Sequence, residues 1–286
     1  MVPLVPASAS PEPQTDRSPR QRPAAGVDNE GMLQVCGLGK RFAERWAVRD
    51  LDLTVDAGET VVILGHNGAG KSTALRCMAG LMQPTLGTIR VAGHDVCGEA
   101  DIVRGLVGLM PEQPGLYERM SALAYLEFFG QVYGVARAQL GRRIEDLLTY
   151  FELWDRRDDW LASYSKGMRQ KLSLIRATVH RPSLILCDEP TSALDADSSR
   201  RAWAYLGQLR SAGSALVLCT HNPLEAERLA DRVAIMSRGT VLALGTQAEL
   251  ALRVGVQARV EERVVPTMED IYLRLVESDV ALPALS

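Results

Sequence analysis

The chain of 286 residues is 47% hydrophobic and 23% charged, and its formal net charge is −3. This composition is typical of a globular protein with a sizeable core. The small negative charge, without any basic block, argues against nucleic acid as the main partner. The sequence also lacks an apolar run of about 18 residues, the minimum for a membrane span, so we expect any role at a membrane to need a separate partner.

The N-terminal segment and the cysteines indicate an intracellular protein. Residues 1–31 are rich in Pro, Ala, Ser and Arg and lack the apolar stretch of a signal peptide, so we expect a disordered tail there. The cysteines are scattered and match neither a disulfide framework nor a zinc site, which predicts buried, reduced thiols. They stand at positions 36, 77, 97, 187 and 219.

Ordered structure is expected from about Met32. Residues 51–55 alternate between apolar and polar side chains up to a turn at residues 56–58, a pattern typical of a half-buried strand. Residues 60–64 form a short apolar run, as in a strand that is buried on both faces. Residues 88–91 indicate another half-exposed strand. Helical spacing links the apolar residues Leu75, Met78, Ala79 and Met82.

Between the buried strand and this helix lies a glycine-rich loop that matches the phosphate-binding motif G-x-x-x-x-G-K-[ST]. Strand, loop and helix would aim backbone N–H groups and the positive end of the helix dipole at one point, which suits a polyphosphate. Lys71 would reach the β- and γ-phosphates, and the Ser72 hydroxyl would bind Mg²⁺. A glycine turn without function is the alternative, which the flanking strand and helix disfavour. The loop comprises Gly65, His66, Asn67, Gly68, Ala69, Gly70, Lys71, Ser72 and Thr73.

A mostly helical block, from about residue 97 to residue 165, interrupts the α/β pattern. Apolar side chains mark two helix faces in it, one with Tyr125, Leu126, Phe129 and Tyr133 and the other with Leu140, Ile144, Leu147, Leu148 and Phe151. Beyond the block we expect strands at 183–187, at 215–218 and twice between 232 and 244, and helices around 202, from 223 and at 269–276.

Two carboxylates, Asp188 and Glu189, directly follow the apolar strand that begins this second α/β segment. In a nucleotide site, the first can hold Mg²⁺ through water and the second can polarise an attacking water. For an isolated pair of this kind, capping of the next turn is the alternative. The phosphate loop earlier in the chain favours the catalytic interpretation.

The order of four motifs carries a resemblance to a known family. They are the phosphate loop, Tyr-Ser-Lys-Gly-Met-Arg-Gln at 164–170, Cys-Asp-Glu-Pro-Thr-Ser-Ala-Leu-Asp at 187–195, and Thr220-His221. Over residues 32–245 the chain resembles the nucleotide-binding subunit of an ABC transporter. The resemblance implies an α/β P-loop NTPase core with a mainly parallel sheet, an N-terminal antiparallel β subdomain and an inserted α-helical subdomain. Residues 246–286 would form a short C-terminal extension.

The resemblance also implies roles for single residues. Asp188 corresponds to the family's Mg²⁺-binding carboxylate, Glu189 to its catalytic glutamate, and His221 to the histidine that senses the γ-phosphate. Asp195 belongs to the D-loop, which crosses the dimer interface in the family. Phe42 stands where the family stacks an aromatic ring on adenine, and an ordinary core Phe is the alternative for this position.

Ser165 and Gly167 correspond to the signature that contacts ATP held by another subunit. A Ser at a helix N-terminus, with a Gly that lets the backbone approach closely, suits an anion, although a simple capping Ser is the alternative. With one phosphate loop and one signature, the chain would hold two half-sites. The resemblance therefore implies a dimer, of two copies or with a related cassette, that binds ATP and Mg²⁺.

At two places the sequence departs from the common family pattern, and there it resembles the exporter branch of the family. Glu112 replaces the usual glutamine of the Q-loop; its carboxylate can still bind Mg²⁺ but adds negative charge near the γ-phosphate. Lys166 and Met168 occupy variable places of the signature. This branch works with separate multi-span membrane subunits, so we expect export through a permease at the cytoplasmic face of the plasma membrane. Residues 116–133, rich in aromatic side chains, correspond to the permease-docking surface or contribute to the core.

Other classes of nucleotide-binding protein fit less well. A cassette ATPase of translation would carry two cassettes in one chain, and a repair ATPase would carry a long coiled-coil insertion. A P-loop kinase or switch GTPase would lack both the signature and the Asp-Glu-Pro-Thr-Ser run at 188–192. The transported substrate would be recognised by the membrane subunit and is not encoded in this chain.

Overall fold

The computed structural model describes residues 31–253. The tail expected at the N-terminus, apart from Gly31, and the helix expected at 269–276 lie outside the described residues, as does most of the C-terminal extension. The division into an ATPase domain and a helical subdomain at about 97–165 stays a prediction.

The described residues form ten strands and eight α-helices. The strands are β1 (Leu33–Phe42), β2 (Arg45–Val55), β3 (Thr60–Leu64), β4 (Leu86–Val91), β5 (His94–Asp95), β6 (Val107–Met110), β7 (Leu184–Asp188), β8 (Ala215–Thr220), β9 (Arg232–Ser237) and β10 (Thr240–Gly245). The helices are α1 (Lys71–Met78), α2 (Ala100–Leu106), α3 (Ala122–Val132), α4 (Arg137–Tyr150), α5 (Lys166–Thr178), α6 (Ala196–Ser211), α7 (Pro223–Leu229) and α8 (Gln247–Arg253).

Two sheets organise the fold. The first is antiparallel and has the strand order β2-β1-β4-β5. The second has the order β10-β9-β3-β8-β7-β6, and its strands are parallel except at the β9–β10 hairpin. This arrangement confirms the expected α/β class with a mainly parallel sheet and an N-terminal antiparallel sheet.

The parallel sheet brings three loops of the predicted site together. Strand β8 lies between β3 and β7, with Leu64 paired to Thr220 and Asp188 paired to Cys219. Because the carboxyl ends of parallel strands share one edge of a sheet, the segments that follow β3, β7 and β8 emerge side by side. The phosphate loop, Glu189 and His221 therefore become neighbours although they are far apart in sequence.

Hydrophobic cores cover both faces of the parallel sheet. In β3, Val61 and Ile63 pack into a core with α1 and the antiparallel sheet, whereas Val62 packs into a second core with α3 to α6. Successive side chains of a strand point to opposite faces, so burial of both faces explains the continuous apolar runs in β3 and β7. This packing holds the strand ends, and hence the loops, in fixed positions.

Most predicted elements are confirmed, but three strands were missed. Sequence patterns predict neither β1 nor the two-residue β5, and they place β6 inside the helical block. Strand β6 has only four residues, and apolar periodicity cannot distinguish so short a strand from a helix segment. An added methyl group at Gly108 would overlap the carbonyl oxygen of Ala177, so this glycine permits the close packing of β6 on α5.

Two smaller expectations also need correction. Helix α1 ends at Met78, so Met82 of the predicted apolar face lies beyond it. Cys77, Cys187 and Cys219 are buried as expected, but Cys36 and Cys97 are exposed; all five thiols are free. Between residues 31 and 253, no helix is both long and apolar enough to span a membrane.

Candidate functional site

The glycine loop leads from β3 into α1 as its motif predicts. Gly70 directly precedes α1 with φ 108°, a left-handed conformation that glycine adopts without strain, and Gly68 has φ 80°. No side chain of the described residues caps the first turn of α1, so its backbone N–H groups face the loop. Lys71 is 6% exposed, and its Nζ donates to the carbonyl oxygen of Gly65 at 2.6 Å. The loop thus brings the Lys71 ammonium, held by a backbone carbonyl, next to the N–H donors at the start of α1, which suits a polyphosphate.

Backbone hydrogen bonds hold this loop on both sides. Gly65 N–H donates to the carbonyl oxygen of Thr220 at the end of β8, at 3.2 Å. Gly239, in the β9–β10 turn, donates to the carbonyl oxygen of Ala69 at 2.8 Å and accepts from Arg49 N–H at 2.7 Å. The hairpin turn therefore ties the phosphate loop to β2 of the antiparallel sheet. Such bonds preorganise the loop before any ligand binds.

The loop forms one wall of a cavity of about 1020 Å³, which is large enough for a nucleotide. Phe42, which lines this cavity, is 48% exposed, so the core alternative for this ring is wrong. The cavity is lined by Phe42, Arg45, Trp46, Ala47, Arg49, the loop residues His66 to Thr73, Glu112, Asp188, Glu189, Arg238 and Gly239. Trp46 and the three arginines belong to no sequence motif, and only the folded chain brings them to the cavity.

Asp188 ends β7 on the cavity wall and is only 5% exposed. Burial raises the pKa of its carboxyl above the ordinary value, and the carboxylates of Glu112 and Glu189 raise that pKa further. A hydrogen bond from Ser72 and the charge of Lys71 oppose this rise. The result is a cluster of negative charge that a cation would stabilise.

The chemistry of this cluster fits Mg²⁺. Ser72, Glu112 and Asp188 offer hydroxyl and carboxylate oxygens, which Mg²⁺ prefers. Within residues 31–253, however, no group of three or more His, Cys, Asp or Glu side chains is placed to hold a metal ion unaided. Mg²⁺ at this position would need oxygens from phosphate and water, as is usual for this ion at nucleotide sites.

Glu189 lies between the phosphate loop and His221. Its Oε1 is 3.6 Å from Lys71 Nζ and 2.9 Å from His221 Nδ1. The Glu189 side chain is 9% exposed, whereas His221 is 56% exposed and faces outward. The three predicted catalytic residues thus meet in the folded chain, with a buried carboxylate between an ammonium group and an imidazole.

The signature and D-loop residues lie elsewhere in the same chain and do not line the cavity. Ser165 caps α5, where its Oγ accepts from Met168 N–H at 3.2 Å, and Asp195 caps α6 by accepting from Ser198 N–H at 2.7 Å. A Cβ at Gly167 would lie 3.1 Å from the carbonyl oxygen of Ala193. The capping alternative for Ser165 is therefore present in the structure, and a role toward a second chain stays a prediction.

Comparisons with known proteins agree with this geometry. The model of the family described as "ABC transporter" matches residues 48–192. The chain is 38% identical over 224 residues to the ABC transporter ATP-binding protein NatA of Bacillus subtilis, covering 77% of this chain and 91% of NatA. It is 36% identical over 219 residues to the Nod factor export ATP-binding protein I of Cupriavidus metallidurans, covering 77% and 72% of the two chains.

A solved structure has the same fold. It is described as the ATP-binding subunit of an ABC transporter, superposes with a TM-score of 0.76 at 30% identity, and is matched over 86% of this chain and 99% of its own. The site and the fold of this chain thus agree with its similarity to relatives that match most of its length. The chain belongs to the ABC transporter family, as an ATP-hydrolysing subunit that powers transport.

Proposed function

We propose that two copies of this chain bind two ATP molecules between them and power export through a separate membrane permease. One observation carries the proposal: the cavity contains the phosphate loop and Glu189, but Ser165 and Gly167 lie outside it. Each cavity is then half of a site, and the signature of a second copy closes it. Residues 32–245 would form the ATPase domain, and residues 246–286 would form a short C-terminal extension.

Within each site, this chain's residues would divide the work. The loop N–H groups and Lys71 bind the phosphates, and Phe42 packs on the adenine ring. Ser72, Glu112 and Asp188 would hold Mg²⁺, which supplies charge neutralisation at the phosphates. Glu189 orients a water molecule and accepts its proton.

Two further groups would complete the chemistry. His221, bonded to Glu189, stabilises charge that develops on the γ-phosphate. From the second chain, Ser165 and Gly167 contact the same phosphate through a hydroxyl and a helix N-terminus. Asp195 would lie at the interface between the two chains.

Export is supported by the similarity to a Nod factor export ATP-binding protein. The permease-docking surface would include Tyr117 and Phe128, which are 54% and 47% exposed, whereas Tyr125 in α3 is fully buried. The aromatic segment thus contributes both to the core and to the surface. Through the permease, the chain would sit at the cytoplasmic face of the plasma membrane.

Glu189→Gln tests the proposal. The amide keeps the shape of the side chain but accepts no proton, so we expect ATP turnover to fall at least about 100-fold while an ATP-bound dimer accumulates. Phosphate release and size-exclusion chromatography with ATP measure the two effects. Lys71→Ala serves as the control and should lose both turnover and the dimer. Wild-type turnover in Glu189→Gln would refute the assigned role.

A further inference from the structure

Gln170 is a buried polar residue whose contacts point to the catalytic carboxylate. It lies in α5, five positions after Ser165, and is 1% exposed. Its side-chain Nε2 donates to the main-chain carbonyl oxygen of Glu189 at 3.0 Å and lies 3.5 Å from that of Pro190. A buried amide needs a partner, and this one finds it on the backbone of the residue that faces Lys71 and His221.

The backbone of Glu189 has an unusual conformation that requires support. Its φ is 52°, in the left-handed region that is sterically unfavourable for residues with a side chain. Glu189 N–H donates to the carbonyl oxygen of Cys219 at 2.9 Å, which holds one side of the residue. On the other side, the Glu189 carbonyl oxygen accepts from Gln170 Nε2 at 3.0 Å and from Ser192 N–H at 3.3 Å. Rotation of this backbone would carry the carboxylate away from its partners.

The same helix contacts the next residues after Glu189. Gly167 lies one turn before Gln170 on the same helix face, and its Cα is packed against the carbonyl of Ala193 so closely that a Cβ would be 3.1 Å from the oxygen. Leu194 packs against the second hydrophobic core. The first turns of α5 and the segment 189–194 are therefore joined at two points, and neither can shift without the other.

We propose that Gln170 is a positioning residue that fixes the left-handed backbone of Glu189 and links the signature to the catalytic carboxylate of its own chain. The proposal rests on the proposed roles of Glu189 and of the signature. In the pair of chains, Ser165 and Gly167 contact the nucleotide of one site while Glu189 acts in the other. Gln170 thereby connects nucleotide contact at one site with catalysis at the second site of the pair.

Gln170→Met removes the donor and keeps a side chain of similar volume in the buried position. We expect kcat for ATP hydrolysis to fall about tenfold, because the carboxylate is no longer held in place, while KM for ATP stays within about twofold. Ser173→Ala is the matched control. Ser173 is a fully buried residue of the same helix whose hydroxyl has no hydrogen-bond partner among the described residues. Equal kcat values for the two variants would overturn the proposal.

Gln170→Glu provides a second measurement if the Met variant folds poorly. Its carboxyl can donate to the Glu189 carbonyl only when protonated, and burial raises the pKa of a carboxyl. The ratio of its kcat to the wild-type kcat should therefore fall as the pH rises from about 6 to about 9. A ratio independent of pH would contradict the proposal.

Glu189→Gln, assayed in parallel, separates the two levels of inference. If that variant turns over ATP like the wild type, the proposed function fails. If it is inactive while Gln170→Met and Gln170→Glu are fully active, only the positioning role of Gln170 fails.

Discussion

Lys71 and Glu189 are nearly buried charged side chains that lie 3.6 Å apart. Removing either charge from water is unfavourable, and their attraction offsets this only while both are present. The motif identifies both residues from the sequence, but their distance follows from the pairing of β3, β8 and β7. At the residue scale, the tertiary structure thus adds the electrostatic partner that the motif does not name.

His180 illustrates a titratable residue with a structural role. Its ring stacks on Tyr133 with 3.9 Å between ring centroids, and its Nε2 lies 3.3 Å from the carbonyl oxygen of Val107. Burial lowers the pKa of His180 from 6.5 to about 4, partly opposed by this hydrogen bond. The folded chain therefore favours the neutral ring, whereas the unfolded chain binds a proton near the ordinary pKa.

This shift predicts a pH dependence of stability. Between about pH 6.5 and about pH 4, the unfolded state binds more protons than the folded state. The contribution of His180 to the free energy of unfolding should therefore be fully present above this window and be lost as the pH falls through it. His180→Phe keeps an aromatic ring but cannot titrate. Over this window, we expect its free energy of unfolding to fall by on the order of 2 kcal/mol less than that of the wild type. Urea unfolding at several pH values measures the difference. Parallel curves for the two proteins would exclude His180 as the cause.

At the scale of elements, buried Glu225 connects α7 to the carboxyl ends of β7 and β8. Its carboxylate accepts from the hydroxyl of Thr191, in the segment after β7, and from Thr220 at the end of β8, the latter at 2.5 Å. Thr220 Oγ1 in turn accepts from Asn222 N–H at 3.0 Å. The short helix α7 is therefore held by one side chain beneath the loop that carries His221.

Glu225→Ala should destabilise the fold by about 2–3 kcal/mol, because it leaves two buried hydroxyls without their acceptor and creates a cavity. Glu227→Ala, on the same helix but exposed, is the control and should change stability by less than about 0.5 kcal/mol. Chemical denaturation measures both. A small effect at Glu225 would show that the buried cluster does not stabilise α7.

The elements that could be predicted are those with strong local signals. Strand β3 is a continuous apolar run, and α7 begins with Asn222 as N-cap and Pro223 at its first position. Strand β6 has no comparable signal, because it is defined by pairing with β7 and by the space that Gly108 leaves for α5. Local patterns predict secondary structure where burial alternates or continues regularly along the chain. They fail where the structure depends on contacts with residues that are distant in sequence.

At the scale of the whole molecule, the proposed sharing of each site by two chains predicts complementation between inactive variants. Lys71→Ala disables the phosphate loop. Ser165→Asp, at an exposed position where Asp can still cap α5, places a carboxylate in the signature. In a mixed dimer, the intact loop of one chain meets the intact signature of the other. If chains pair at random, about half of the pairs are mixed and each mixed pair binds ATP at its one intact site, so we expect at most about a quarter of wild-type ATP turnover.

Phosphate release by each variant alone and by the mixture measures this effect. Each variant alone should be nearly inactive. A mixture as inactive as its parts would contradict pairing of two copies and would point instead to a related cassette as the partner.

The sequence by itself determined the family, the phosphate loop and the acidic pair Asp188 and Glu189, and it predicts that a single chain holds two half-sites, because these depend on residue types at short, fixed spacings. Only the tertiary structure decided that Glu189 adopts a left-handed conformation and that Gln170 supports it. It also decided that Arg45, Arg49 and Arg238 line the cavity. These contacts join residues from different elements, and their distances depend on sheet order and core packing, which no local pattern encodes.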